Sequence, residues 1–264
     1  MKKFAGILTA LALMAMTVTA MASPIVIQDN YVGGTPWHSS YYGQDVIGTD
    51  YGFDTTKMEI SFLNDDPSQG MIIDIYSRYL NNIGTLGTAL GDLFVSLDGW
   101  NPYGTAPYND DTMYNGEDWE LAFVLDDHSG ATTSGSMGMF STSGGTILSS
   151  NDFFSSGYRK DQEVQFQAGA GQTALATGTW SINYNGTSAD TDDYLRIAIG
   201  YNFGGVEEMG FHWAMTCAND VIEGGAKVPG GGVPEPATML LFGTGLAGLA
   251  GAARRRKEGK TTKA

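Results

Sequence analysis

The sequence predicts an all-β body, an antiparallel sandwich of the jelly-roll type, on three observations. Apolar residues recur at every second position in stretch after stretch. The segments between them consist of Asn, Asp, Gly and Pro in turn-forming combinations. No part of the body holds an amphipathic helical period over three turns.

The strands are read in order. Met58, Ile60 and Phe62 alternate with Glu59 and Ser61, and Ile73 and Ile75 flank Asp74. Leu93-Phe94-Val95-Ser96-Leu97 follows, then a run in which Trp119, Leu121, Phe123 and Leu125 share a side. Val164-Gln165-Phe166 is a short strand. Trp180, Ile182 and Tyr184 alternate with Ser181 and Asn183, and Leu195, Ile197 and Ile199 with Tyr194, Arg196 and Ala198. Phe211, Trp213 and Met215 close the series, with His212 alternating away from the apolar face. This spacing puts one face of each strand against a core. The links are turn chemistry: Asn64-Asp65-Asp66-Pro67, Asp98-Gly99, Asn115-Gly116, Ser143-Gly144-Gly145, Asn185-Gly186 and Gly204-Gly205. The Ser-, Gly- and Thr-rich run from Ser129 to Ser156 is expected to be a long surface excursion. No repeat recurs at a fixed period, which argues against a solenoid or propeller.

The two ends differ from the body. Lys2 and Lys3, an apolar run from Phe4 to Val18, and Ala20-Met21-Ala22 form the order of a secretory signal peptide, cleaved after Ala22 or Ala20. At the other end, Met239 to Ala253 is apolar apart from Thr244, and four glycines lie within it. As a helix it would reach about 22 Å at 1.5 Å per residue, short of the about 30 Å hydrocarbon core of a bilayer. Arg254, Arg255, Arg256 and Lys257 follow at once. The positive-inside rule holds such a block in the cytoplasm, so that everything before it faces outward, in agreement with the leader. Pro234 and Pro236 remove two backbone donors and fix φ. Gly230, Gly231 and Gly232 loosen the chain just before them. The chain therefore divides into a signal peptide (1–22), a β domain (23–228), a Gly/Pro linker (229–236) and a hydrophobic sorting segment with a basic tail (237–264). An ordinary single-pass anchor is the plain alternative for the last part.

Val233-Pro234-Glu235-Pro236, the short apolar run and the arginine cluster, in that order, resemble the PEP-CTERM sorting signal of Gram-negative bacteria. The resemblance implies a substrate of an exosortase, first parked in the inner membrane and then cut near Pro-Glu-Pro and passed to the cell surface or extracellular matrix. Any catalytic cysteine would then belong to the exosortase. The stretches "GDLFVSLDGWNPYG", "NGEDWELAFVLDDH" and "FHWAMTCANDVIEG" give the body a looser resemblance to exosortase-dependent surface proteins.

Charge narrows the partners. Without leader and tail, the region 23–236 keeps six basic and 28 acidic residues, a net charge of −22. That excludes nucleic acid and anionic lipid as natural partners and favours divalent cations. Cys217 is the only cysteine, so no internal disulfide can staple an exported domain. Its hydrophobic surroundings predict a small buried thiol, with a reactive or intermolecular thiol as the alternative.

Candidate chemistry lies in loops. Oxygen-rich turns can hold Ca2+, and the strongest of them contain Asp110, Asp111 and Asp118 in one loop and Asp190, Asp192 and Asp193 in another. None follows EF-hand spacing, and solvated acidic turns are the plain alternative. Trp100 and Tyr103 lie in a turn, where aromatic faces beside polar groups suit sugar rings of an extracellular polysaccharide. A calcium-assisted carbohydrate-binding module is the second functional reading. A glycoside-active enzyme using two carboxylates is the third. His38, His128 and His212 stand far apart, and no nucleophile elbow or zinc-protease helix occurs, so the first reading is a non-enzymatic exported protein.

Overall fold

The computed structural model describes residues 23–47, 51–185 and 192–230. The signal peptide, Asp190, the Pro-Glu-Pro segment and the arginine block all lie outside these residues. Twelve strands run through the described chain: β1 (Ile25–Gln28), β2 (Thr55–Phe62), β3 (Met71–Ser77), β4 (Leu93–Ser96), β5 (Leu121–Leu125), β6 (Ser134–Ser141), β7 (Thr146–Ser149), β8 (Glu163–Gln167), β9 (Ala176–Asn183), β10 (Tyr194–Ile199), β11 (Glu208–Ala214) and β12 (Val221–Lys227). Ten form one antiparallel sheet in the order β1-β2-β3-β10-β9-β6-β5-β4-β11-β12, and β7 pairs with β8 in a separate ribbon. The edge strands β1 and β12 lie against each other, so the sheet is nearly closed. The all-β antiparallel class is thus realised with opposite walls of one sheet facing across the core.

The alternation explains the core. Met58, Ile60, Ile73, Ile75, Phe123, Trp180, Ile197, Phe211 and Trp213 all point inward and join a single apolar cluster. Burial of so many large side chains is the main stabilising term. The opposite face of β2, β3 and β10 stays polar. There Arg196 lies directly across from Asp74 and binds it through two hydrogen bonds of 2.7 Å, and the Tyr76 and Tyr194 rings meet at 5.2 Å. On β4, β5 and β11 the outer face is buried as well, because β8 packs over it. Phe94, Trp119, Ala122 and Phe166 form a second apolar cluster in that layer. Trp119 therefore leaves the alternation it shares on paper with Leu121 and Phe123.

The Ser/Gly/Thr-rich run from Ser129 to Ser156 is not a surface excursion. It contains β6, β7 and a helical turn, Ser150–Phe153. Small residues are needed there because neighbours crowd the strand. A Cβ on Gly135 would stand 2.1 Å from Asp126 Oδ1 and 2.7 Å from Trp180 Nε1, two atoms that hydrogen-bond each other at 2.8 Å. The same holds for Gly224 in β12, where a Cβ would stand 2.6 Å from Ile27 of β1. Glycine in both strands permits close approach of a packed neighbour.

Candidate functional site

The connection from β4 to β5 lies over the outer face of β11 and β12, and the polar side chains beneath it form one network. Alternation in β11 turns His212 outward, and register places it opposite Glu223 of β12. His212 Nδ1 lies 2.8 Å from Glu223 Oε2, and its Nε2 lies 2.8 Å from the backbone oxygen of Glu163 at the start of β8. Glu163 Oε2 is 4.0 Å from the same ring nitrogen. The remaining carboxylate oxygens are held by indoles: Trp100 Nε1 donates to Glu223 Oε1 at 2.7 Å, and Trp119 Nε1 donates to Glu163 Oε1 at 3.0 Å.

Electrostatics follow from burial and pairing. His212 is fully buried, which works against its charged form, yet the Glu223 hydrogen bond and the Glu163 charge raise its pKa to about 9. Burial pushes Glu163 up to about 7, with His212 pulling it back and Glu223 raising it further. At neutral pH His212 is thus an imidazolium held by Glu223, with Glu163 near the midpoint of its titration. Nearby, Tyr31 donates to Asp111 Oδ2 at 3.0 Å. Asp111 is pushed up to about 6, first by burial and then by the charge of Glu223.

Two open clefts border this network. One of about 480 Å³ is lined by Glu117, Asp118, Trp119, Thr142 and Glu163, among others. Another of about 420 Å³ is lined by Asp98, Trp100, Asn101, Glu117, Asp118 and Glu208, among others. Of the residues the sequence singled out, exposed Asp118 lines both clefts. Trp100 is half-buried, meeting Tyr108 edge-on at 5.3 Å, while Tyr103 is exposed. Asp110 accepts the Tyr42 hydroxyl at 2.9 Å, and Asp111 is buried. Asp192 is exposed. Asp193 is buried, accepting from Asn81 Nδ2 at 2.6 Å and the Asn185 amide at 2.5 Å. Asp193 thus ties Asn185, which follows β9, and Asn81 to the start of β10. Among the described residues, the three carboxylates that come within 4.8 Å of one another are Asp29, Asp45 and Asp220. They stand in "IQDN", "GQDV" and "ANDV", and only the meeting of the sheet edges unites them.

The chain leaves β12 at Lys227, and its described part ends at Gly230. The model of the PEP-CTERM protein-sorting motif matches residues 232–257. This chain carries a PEP-CTERM sorting motif. The PEP-CTERM segment thus begins five positions after the last strand, and it marks an exported protein that is anchored in the membrane before an exosortase processes it. No curated protein and no solved structure matches the chain. Among the described residues, those ahead of the PEP-CTERM motif, no helix is long and apolar enough to cross a membrane.

Proposed function

We propose that this is a non-enzymatic surface or matrix protein, a β body exported behind a cleavable leader and released from its membrane handle by an exosortase. The observation that carries the reading is the sorting motif at 232–257, set immediately beyond the last strand of the body. The handle can be removed without touching any residue of the sheet. Two buried acids support a structural body: Glu163 and Glu223 each spend one oxygen on a tryptophan indole and face His212 from either side. Signal peptidase would remove residues 1–22, and extracellular polysaccharide is the expected surroundings of the released form. The test is intact-mass spectrometry of the protein recovered from the cell surface and medium. The expected species begins at Ser23 and ends near Pro236, without the arginine block. Retention of Lys257 on most molecules would overturn the reading.

A further inference from the structure

We propose that Asp29, Asp45 and Asp220 form a calcium site that ties β1 to β12 across the open seam of the sheet. Asp29 directly follows β1, and Asp220 directly precedes β12. These two strands lie against each other as the unpaired edges of the ten-stranded sheet. Asp45 comes from the connection between β1 and β2 and is exposed, which leaves the group open to solvent on one side. The same connection is already tied to the strand β12 approach by a 2.9 Å bond from the Ile47 amide to the Asn219 carbonyl.

One oxygen from each carboxylate lies within 4.8 Å of the others. Two oxygens bound to one Ca2+ at 2.3–2.6 Å stand no more than about 5 Å apart, so this spacing accommodates a shared ion. An independent observation points the same way. Both carboxylate oxygens of Asp29 are buried and reach no donor within hydrogen-bond geometry, only the nearby Tyr31 amide favouring their charge, and Asn219 Oδ1, in the residue before Asp220, is buried and unpartnered too. A buried carboxylate so poorly supplied with donors calls for a cation or a proton. The charge of buried Arg159 acts on all three carboxylates, yet none of its hydrogen bonds goes to their oxygens. Its guanidinium hydrogen bonds go to the backbone carbonyls of Gly33, Gln44 and Asp45. Asp220 is oriented by the Thr55 amide at 2.5 Å and the Val221 amide at 3.0 Å, one on each oxygen, which leaves lone pairs free on both.

The group consists of oxygen donors alone, which selects a hard cation. Ligands from three separate segments suit the flexible coordination of Ca2+ better than the strict octahedron of Mg2+. Without an ion the group is held partly protonated: Asp29 is pushed up to about 10, first by burial and then by the charges of Asp220 and Asp45, with the Tyr31 amide easing it. Asp220 is raised as well, by burial and then by Asp45.

The test uses the exported protein, stripped with EGTA and titrated with CaCl2 by calorimetry and thermal melting. The expected result is one high-affinity ion per chain and a Tm that rises with calcium and falls back on chelation. Asp29→Asn and Asp45→Asn should each weaken binding about tenfold or more. In EGTA, Asp29→Asn should melt no lower than the wild type, because it removes an unpaired buried carboxylate; this separates lost binding from lost folding. Absence of calcium heat and of a Tm rise would overturn the proposal. So would undiminished binding in both variants, which would place the ion at other acids, or an equal response to MgCl2.

Discussion

Replacing His212 with phenylalanine removes the cation from the network between β8, β11 and β12. The ring is fully buried, and its two nitrogens lie 2.8 Å from Glu223 Oε2 and 2.8 Å from the Glu163 carbonyl. Removing one partner of a buried pair costs about 3–5 kcal/mol, because the other charge is left uncompensated. The proton affinity leads to a similar figure. A histidine raised from 6.5 to about 9 favours the folded imidazolium by about 3 kcal/mol at 1.36 kcal/mol per pH unit. The folded pKa is the higher one, so this contribution is complete below 6.5 and is lost as pH rises through about 9. Glu163 acts in the same direction: raised from 4.5 to about 7, it makes folding less favourable as pH climbs through that window. Urea unfolding followed by tryptophan fluorescence should therefore show the variant about 3–5 kcal/mol less stable at pH 6. At pH 10 the deficit should shrink to about 1 kcal/mol, the net value of the remaining neutral hydrogen bonds. A loss at pH 6 below about 1 kcal/mol, or one that does not change between the two pH values, would refute the imidazolium assignment.

Other substitutions probe other links. Trp100→Phe keeps the ring against Tyr108 but leaves Glu223 Oε1 without its indole donor, and should cost about 1–3 kcal/mol in the same unfolding assay. Gly224→Ala drives a methyl to 2.6 Å from Ile27 and should lower stability by about 1–3 kcal/mol through overpacking of the seam, read as a lower urea midpoint. Burial pushes the Cys217 thiol up to about 12, so a thiol reagent at pH 8 should leave the native protein unmodified and label one site per chain in denaturant.

Eight strands are legible in the sequence, six because large apolar and polar residues alternate and two, β4 and β5, as short apolar runs bounded by turn residues, and these appear as β2, β3, β4, β5, β8, β9, β10 and β11. β1, β6, β7 and β12 are not legible. The β12 sequence, "VIEGGAK", reads as a loop because its glycines answer to Ile27 and Trp100, residues nearly 200 and more than 120 positions away. β6 is hidden in the same way, its glycines fitted to Asp126, Trp180 and Phe140. Where a strand is crowded by its neighbours, small residues replace the apolar alternation that would have revealed it.

By itself the sequence determined the all-β class, the acidity of the body and the sorting handle. Each is a local property: alternation of neighbours, a sum of charges, or a contiguous motif with its own polarity. Tertiary structure alone decided that the ten strands close into nearly one sheet, that β7 and β8 leave it to cover the outer face, and which acids meet. His212 with Glu163, and Asp29 with Asp45 and Asp220, are far apart along the chain. Their proximity depends on strand order and register, and both are set by how the whole apolar face is buried at once.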